Sequence, residues 1–186
     1  MELPFLSKLY PQNGTSTPRY EEIFTTILTY QAKNDKTAQF SLEPPDAPPP
    51  CLADLLNSPT IIDPMTEYPF EIFIDSIKHH TSLSLPKDKL PAIGRIPGGP
   101  GISALTSLGV RCCGIRSASG VFKLKRVWAK DDTPHGFAEL FAGYFTFNVS
   151  YGGMYKSVTR GKGQKHKWGF WAIRAKTEDD GTESSS

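Results

Sequence analysis

The most concentrated chemistry in this chain is the run Arg160-Gly161-Lys162-Gly163-Gln164-Lys165-His166-Lys167, followed by Trp168, Phe170 and Trp171. Four permanent cations and a histidine on a glycine-spaced stretch suit anion binding rather than bond making. Lys and Arg displace condensed counterions from a phosphate backbone, which makes such binding strongly salt-dependent. Beside an anionic leaflet each basic residue adds about 1 kcal/mol. Lys123, Lys125, Arg126 and Lys130 extend the same charge along an earlier segment. Together with Arg160, Lys162, Lys165 and Lys167 they form the candidate site for an anionic lipid surface or RNA.

Other reactive residue types do not assemble into a catalytic pattern. Gly98-Gly99-Pro100-Gly101 lacks the Gly-Lys-Ser/Thr that ends a phosphate loop, and Pro100 removes a backbone N–H that such a cradle uses. His79 and His80 are neighbours and diverge on a strand or a helix, so they do not predict a joint metal site. Cys112 and Cys113 have the same geometric problem, and Cys51, His135 and His166 have no companion at zinc-ligand spacing. Asp131-Asp132-Thr133-Pro134 reads as a turn, and no Gly-x-Ser-x-Gly elbow occurs. The expectation is a protein that is not an enzyme, with no cofactor, metal or small-molecule substrate.

Charge is sorted along the chain behind a formal total of +2. Residues 87–176 hold 16 of the 21 Lys and Arg and four acids; residues 1–86 hold five bases and 11 acids, and the last ten residues add four acids. Such asymmetry concerns partners, not fold, and points to an anionic one. The start of the chain lacks a basic segment followed by an apolar run, and no stretch approaches the roughly 18 apolar residues that span a bilayer, so a cytosol-like compartment is expected. Three cysteines, two of them adjacent, do not form a disulfide framework.

The elements that must position the cations follow from pattern. At 186 residues the chain suits one domain, and 16 Pro with 16 Gly break it often. Residues 1–18 read as a flexible arm carrying Leu3, Phe5, Leu6, Leu9 and Tyr10, either a docking segment for a neighbouring subunit or a strand tucked on the core. Tyr20–Tyr30 fits helical or strand spacing; eight of its eleven residues are β-branched or aromatic, which favours a strand. Residues 41–50 are a proline-rich loop, Leu52–Leu56 suggests a short helix, and Phe70–Ile77 is buried as a strand or a helix. Residues 86–101 form a second soft stretch, and Ile102–Gly109 fits either type. Val121–Trp128 alternates with Phe122, Leu124 and Trp128 opposite Lys123 and Lys125. Phe141–Tyr151 places Phe141, Phe145, Phe147, Val149 and Tyr151 opposite Tyr144, Thr146, Asn148 and Ser150. Trp168–Ala175 alternates again, with Ser119-Gly120 and Gly152-Gly153 as turns and 160–167 as a loop. The expected architecture is α+β: a single domain with a twisted antiparallel sheet, one wet face, a few short helices, a flexible N-terminal segment and a disordered acidic tail over 177–186.

Arg19-Tyr20-Glu21-Glu22-Ile23-Phe24-Thr25-Thr26 with the later Asn34, Tyr68-Pro69-Phe70-Glu71-Ile72 after the Leu52–Leu56 segment, and Phe141–Tyr151 resemble the core of rhabdovirus matrix proteins, in order and spacing over about residues 19–175. The resemblance implies a matrix-like domain over 19–176 in a non-enzymatic virion protein. Such a protein self-associates through an N-terminal segment, here Leu3–Tyr10. It bridges the viral ribonucleoprotein to the inner face of the envelope during assembly and budding. Its expected partners are itself, ribonucleoprotein or RNA, and the anionic inner leaflet; its places are the virion beneath the envelope, the host cytoplasm, the inner membrane face and the nucleus. The chain departs from that group in two ways. Only Lys8 and Arg19 precede Tyr20, and Pro48-Pro49-Pro50-Cys51 lacks the tyrosine of a Pro-Pro-x-Tyr motif. The alternative is a stand-alone RNA-binding or silencing-suppressor protein that stacks Trp168 or Trp171 on bases.

Overall fold

The computed structural model describes residues 19–31, 38–42, 55–85, 99–108, 114–133, 136–159 and 161–174. In chain order they form α1 (Tyr20–Gln31), β1 (Gln39–Ser41), β2 (Leu55–Asn57), β3 (Ile72–His80), β4 (Gly101–Leu108), β5 (Ile115–Thr133), β6 (Gly136–Tyr151), α2 (Gly153–Thr159) and β7 (Gly163–Ile173). The strands lie in sequence order in one sheet, each antiparallel to the next. Five long strands, β3 to β7, carry the sheet, and β1 and β2 extend it by three residues each. The domain is α+β and mostly sheet.

The alternation of β6 holds as the sequence predicts. Phe145, Phe147, Val149 and Tyr151 turn to an inner face, where they pack with Phe122 and Leu124 of β5, Ala104 of β4, and Ile72 and Ile74 of β3. The sheet rolls around this core. Six strand spacings laid flat would separate β1 from β7 by about 29 Å, yet the ring of Phe40 in β1 lies 6.2 Å from Phe170 in β7 and 5.2 Å from Phe122. Rolling buries one face of the sheet against itself. The β2–β3 connection helps close it: the Gln164 side-chain amide donates to the Ile62 carbonyl, and the Tyr155 hydroxyl donates to Asp63.

α1 corrects the strand expected over Tyr20–Tyr30. Its apolar stripe, Ile23, Phe24 and Ile27 with Leu28 at the margin, covers Ala138, Leu140 and Ile173 on the outer face of the sheet. A strand would have turned Ile23 and Ile27 away from Phe24 and Leu28. The threonines that argued for a strand are accommodated by hydroxyl bonds to the preceding turn: Thr25 to the Glu21 carbonyl, Thr26 to Glu22 and Thr29 to Thr25. Glu21 and Glu22 in the first turn complement the helix dipole. Tertiary packing overrides a propensity difference that amounts to a few tenths of a kcal/mol per residue.

Other expectations change in place. Leu55 and Leu56 belong to strand β2 rather than a helix. Phe70–Ile77 and Ile102–Gly109 resolve into β3 and β4: Ile72 and Ile74, and Ile102, Ala104 and Leu108, face the inner core with period two, while Leu105 is exposed on the other side. Ser119-Gly120 lies within β5, Gly153 opens α2, and Asp131–Thr133 end β5 instead of turning. Residues 163–167 are strand, not loop. Trp128 leaves the face of Phe122 and Leu124, because a register shift between Arg126 and Trp128 inverts the alternation; its ring packs 5.7 Å from Phe24. The arm over 1–18 with Leu3, Phe5, Leu6, Leu9 and Tyr10, most of the 41–50 loop, the three cysteines and the tail over 177–186 lie outside the described residues.

Candidate anion-binding surface

The eight cations singled out in the sequence separate in the fold. Lys123, Lys165 and Lys167 share the outer face of the sheet. Lys123 pairs with Tyr144, Thr146 with Lys167 and Asn148 with Lys165, so the three lysines occupy neighbouring rows across β5, β6 and β7. Two strand spacings put the β5 and β7 backbones about 10 Å apart, near the screening length of physiological salt, so the charges act together on one partner. Among the described residues none of the three has an ion-pair partner. Asp75 of β3, four strands from β7, accepts a bond from Ser107, and Glu21 of α1, on the same side, is taken up by Lys130.

Lys125, Arg126 and Lys130 lie elsewhere. Lys125 is 2% exposed, and its ammonium donates to the Leu83 carbonyl at 3.3 Å. Burial pushes its pKa down. The segment ending in Leu83 covers it, which alternation within β5 alone does not reveal. Arg126 reaches Glu139 at 3.0 Å from one side while Arg174 approaches it at 2.6 Å from the other. Glu139 is almost fully buried, so these arginines serve to neutralise an internal carboxylate. Lys130 ties β5 to α1 through Glu21 at 2.7 Å. The outer face is therefore wet only in part. Lys162 stands just before β7 at the end of the sheet, and Arg160 lies outside the described residues.

Sequence reasoning missed Arg116 and Lys156. With Lys162 they line a cleft of about 530 Å³ between the start of β5, the end of β6 and α2. Arg116 sits at a register shift between Ile115 and Ser117. Lys156 lies on a helix that no pattern in residues 153–159 announced. Being basic was the one signal either residue offered.

The aromatic residues near the basic run are committed to packing. Trp168 stacks 5.5 Å from Phe145 on the inner face, and Trp171 packs in the cluster beneath α1. His166 lies 5.2 Å from Trp168 and is bonded to the Gln164 side-chain oxygen at 2.8 Å. Burial lowers its pKa below the usual histidine range. A lowered folded pKa means that the neutral ring is favoured in the native state, so stability is present above about pH 6.5 and falls as pH drops through that value toward the folded pKa. His166→Gln is expected to flatten the acid side of the stability profile. Urea midpoints measured from neutral to mildly acidic pH check this; an unchanged slope would count against it.

Among the described residues no three His, Cys, Asp or Glu side chains gather to hold a metal, and no helix is long and apolar enough to cross a membrane. The fold and surface define a rolled antiparallel sheet with a lysine face and a cationic cleft at one end. No family model, curated protein or solved structure matches this chain.

Proposed function

We propose that this chain is a non-enzymatic structural protein of the viral matrix type. In this reading it self-associates, sits beneath an envelope and joins ribonucleoprotein to the inner membrane face through its outer lysines. The observation that carries the reading is Lys123, Lys165 and Lys167 on one sheet face, without ion-pair partners among the described residues. The stand-alone RNA-binding alternative asks Trp168 or Trp171 to stack on bases, and both are engaged in internal clusters.

Vesicle co-sedimentation tests it. Binding is expected to require phosphatidylserine in phosphatidylcholine vesicles and to weaken with salt. Replacing Lys123, Lys165 and Lys167 together with Glu is expected to weaken it by at least about two orders of magnitude, from about 1 kcal/mol per lost charge. Lys125→Gln, at a buried position, leaves binding unchanged. Binding indifferent to lipid charge, or untouched by the triple variant, would overturn the reading. Light scattering across the same salt series tests self-association. A monomer at every salt concentration with submicromolar RNA affinity would favour the RNA-binding alternative.

A further inference from the structure

We propose that the cleft lined by Arg116, Lys156 and Lys162 binds the phosphorylated headgroup of an anionic lipid. The proposal deepens the membrane part of the function just given and rests on it. Three cations reach the cleft from β5, from α2 and from the residue before β7, and Ser117 and Ser150 also line it. Hydroxyls and cations are the donors that phosphate oxygens take. Among the described residues no acid lines the cleft, and none of its three cations is ion-paired. Its volume of about 530 Å³ falls within the roughly 300–1,000 Å³ of small-ligand sites, room for a sugar-phosphate group rather than a bare ion.

The chain holds these walls in place. The Gly152 N–H donates to the Gly114 carbonyl and the Tyr151 N–H donates to the Lys162 carbonyl, which ties the start of β5 and the approach to β7 to the end of β6. Tyr155, buried on α2, packs 5.2 Å from Tyr151 and closes over Gly114, whose φ of 87° and crowding against that ring exclude a side chain. Anchoring Tyr155 fixes the helix that carries Lys156.

The surroundings select a lipid among phosphate sources. Tyr155 bonds Asp63 and Gln164 bonds Ile62, so the β2–β3 connection meets this end of the sheet. There it exposes Ile62, Met65 and Tyr68, the last at 74%, and α2 exposes Met154 at 64%. Apolar and tyrosine side chains standing in water at the end of the sheet that also carries the cationic cleft match a bilayer interface, where both kinds of side chain find partners. A free phosphate gives these side chains no partner, and a nucleic acid, which can stack a base on Tyr68, leaves Ile62, Met65 and Met154 without an apolar phase.

The test compares vesicles carrying phosphatidylinositol bisphosphate with vesicles carrying phosphatidylserine at equal lipid charge. Soluble inositol trisphosphate and a single-stranded RNA serve as the other arms. The native chain is expected to prefer the bisphosphate vesicles. Arg116→Gln, Lys156→Gln and Lys162→Gln combined remove that preference, a loss of about two orders of magnitude, while phosphatidylserine binding through Lys123, Lys165 and Lys167 persists. Met154→Gln with Tyr68→Gln weakens vesicle binding but leaves inositol trisphosphate binding intact. Unchanged thermal midpoints show that the variants fold. Equal binding to both vesicle types, or a preference that survives the triple variant, overturns the cleft assignment alone. So does inositol trisphosphate binding as tight as that of vesicles, which makes the ligand a free phosphate, or a triple variant that loses RNA binding alone. Absence of binding to either vesicle overturns the membrane reading and the cleft with it.

Discussion

Gly120→Val is expected to abolish cooperative folding. Gly120 lies within β5, and over it the Thr106 hydroxyl of β4 donates to the Thr146 carbonyl of β6 at 3.2 Å, while the Val121 N–H donates to the Thr146 hydroxyl at 2.9 Å. The absence of a side chain at position 120 leaves the path across the strand open. A Cβ there would overlap the Thr146 carbonyl oxygen and stand 2.5 Å from Thr106 Oγ1. Thr106 is 1% exposed, so displacing its hydroxyl strands a buried polar group at about 1–3 kcal/mol. Forced backbone movement adds about 1–3 kcal/mol even for a single methyl. Their sum, about 2–6 kcal/mol, reaches the lower end of the roughly 5–15 kcal/mol that holds a small domain folded, and valine adds two further methyls to the overlap. Gly120→Ala should therefore lie between the native chain and the valine variant in urea denaturation. A valine variant with a native midpoint would show that β5 does not depend on this crossing.

Phe122→Ala carries the second largest effect, a loss of about 3–5 kcal/mol. Phe122 is fully buried and is the ring at which the roll of the sheet closes, with Phe40 edge-on at 5.2 Å and Phe170 stacked at 5.7 Å. Removing it takes away the nearer of the two rings that Phe40 packs on, and leaves β1, a strand of three residues, to Phe170 at 6.2 Å and to β2. Hydrogen exchange should accelerate first in residues 38–42 and 55–57, ahead of β5 to β7. Uniform acceleration across all strands would mean that β1 does not rest on this ring. Phe122→Leu, which keeps most of the volume, should restore much of both the stability and the protection.

The lysine face was legible where alternation runs unbroken. From Val121 to Arg126 in β5 and from Phe141 to Tyr151 in β6, period two assigns each residue to a side. Legibility stopped at the register shift after Arg126, which sends Trp128 to the side of α1 and leaves Arg126 beside Glu139. It stopped again at Tyr20–Gln31, where local preference favoured a strand and the apolar surface of Leu140 and Ile173 required a helix to cover it. The charge of Lys125 was visible, and the Leu83 carbonyl that receives its ammonium was 42 residues away in the chain.

By itself the sequence determined the sheet-rich class, the inner and outer sides of β6, and a surplus of positive charge in the C-terminal half. These depend on residue type and short spacing, which the backbone geometry of a strand converts directly into faces. Tertiary structure alone decided which cations remain exposed. Lys125, Arg126 and Lys130 are buried or ion-paired by segments distant in the chain, whereas Arg116 of β5, Lys156 of α2 and Lys162 before β7 are brought together into one cleft. The cover over Lys125 and the ion pairs of Arg126 and Lys130 join residues 42, 13 and 109 apart in the chain, beyond the reach of local pattern.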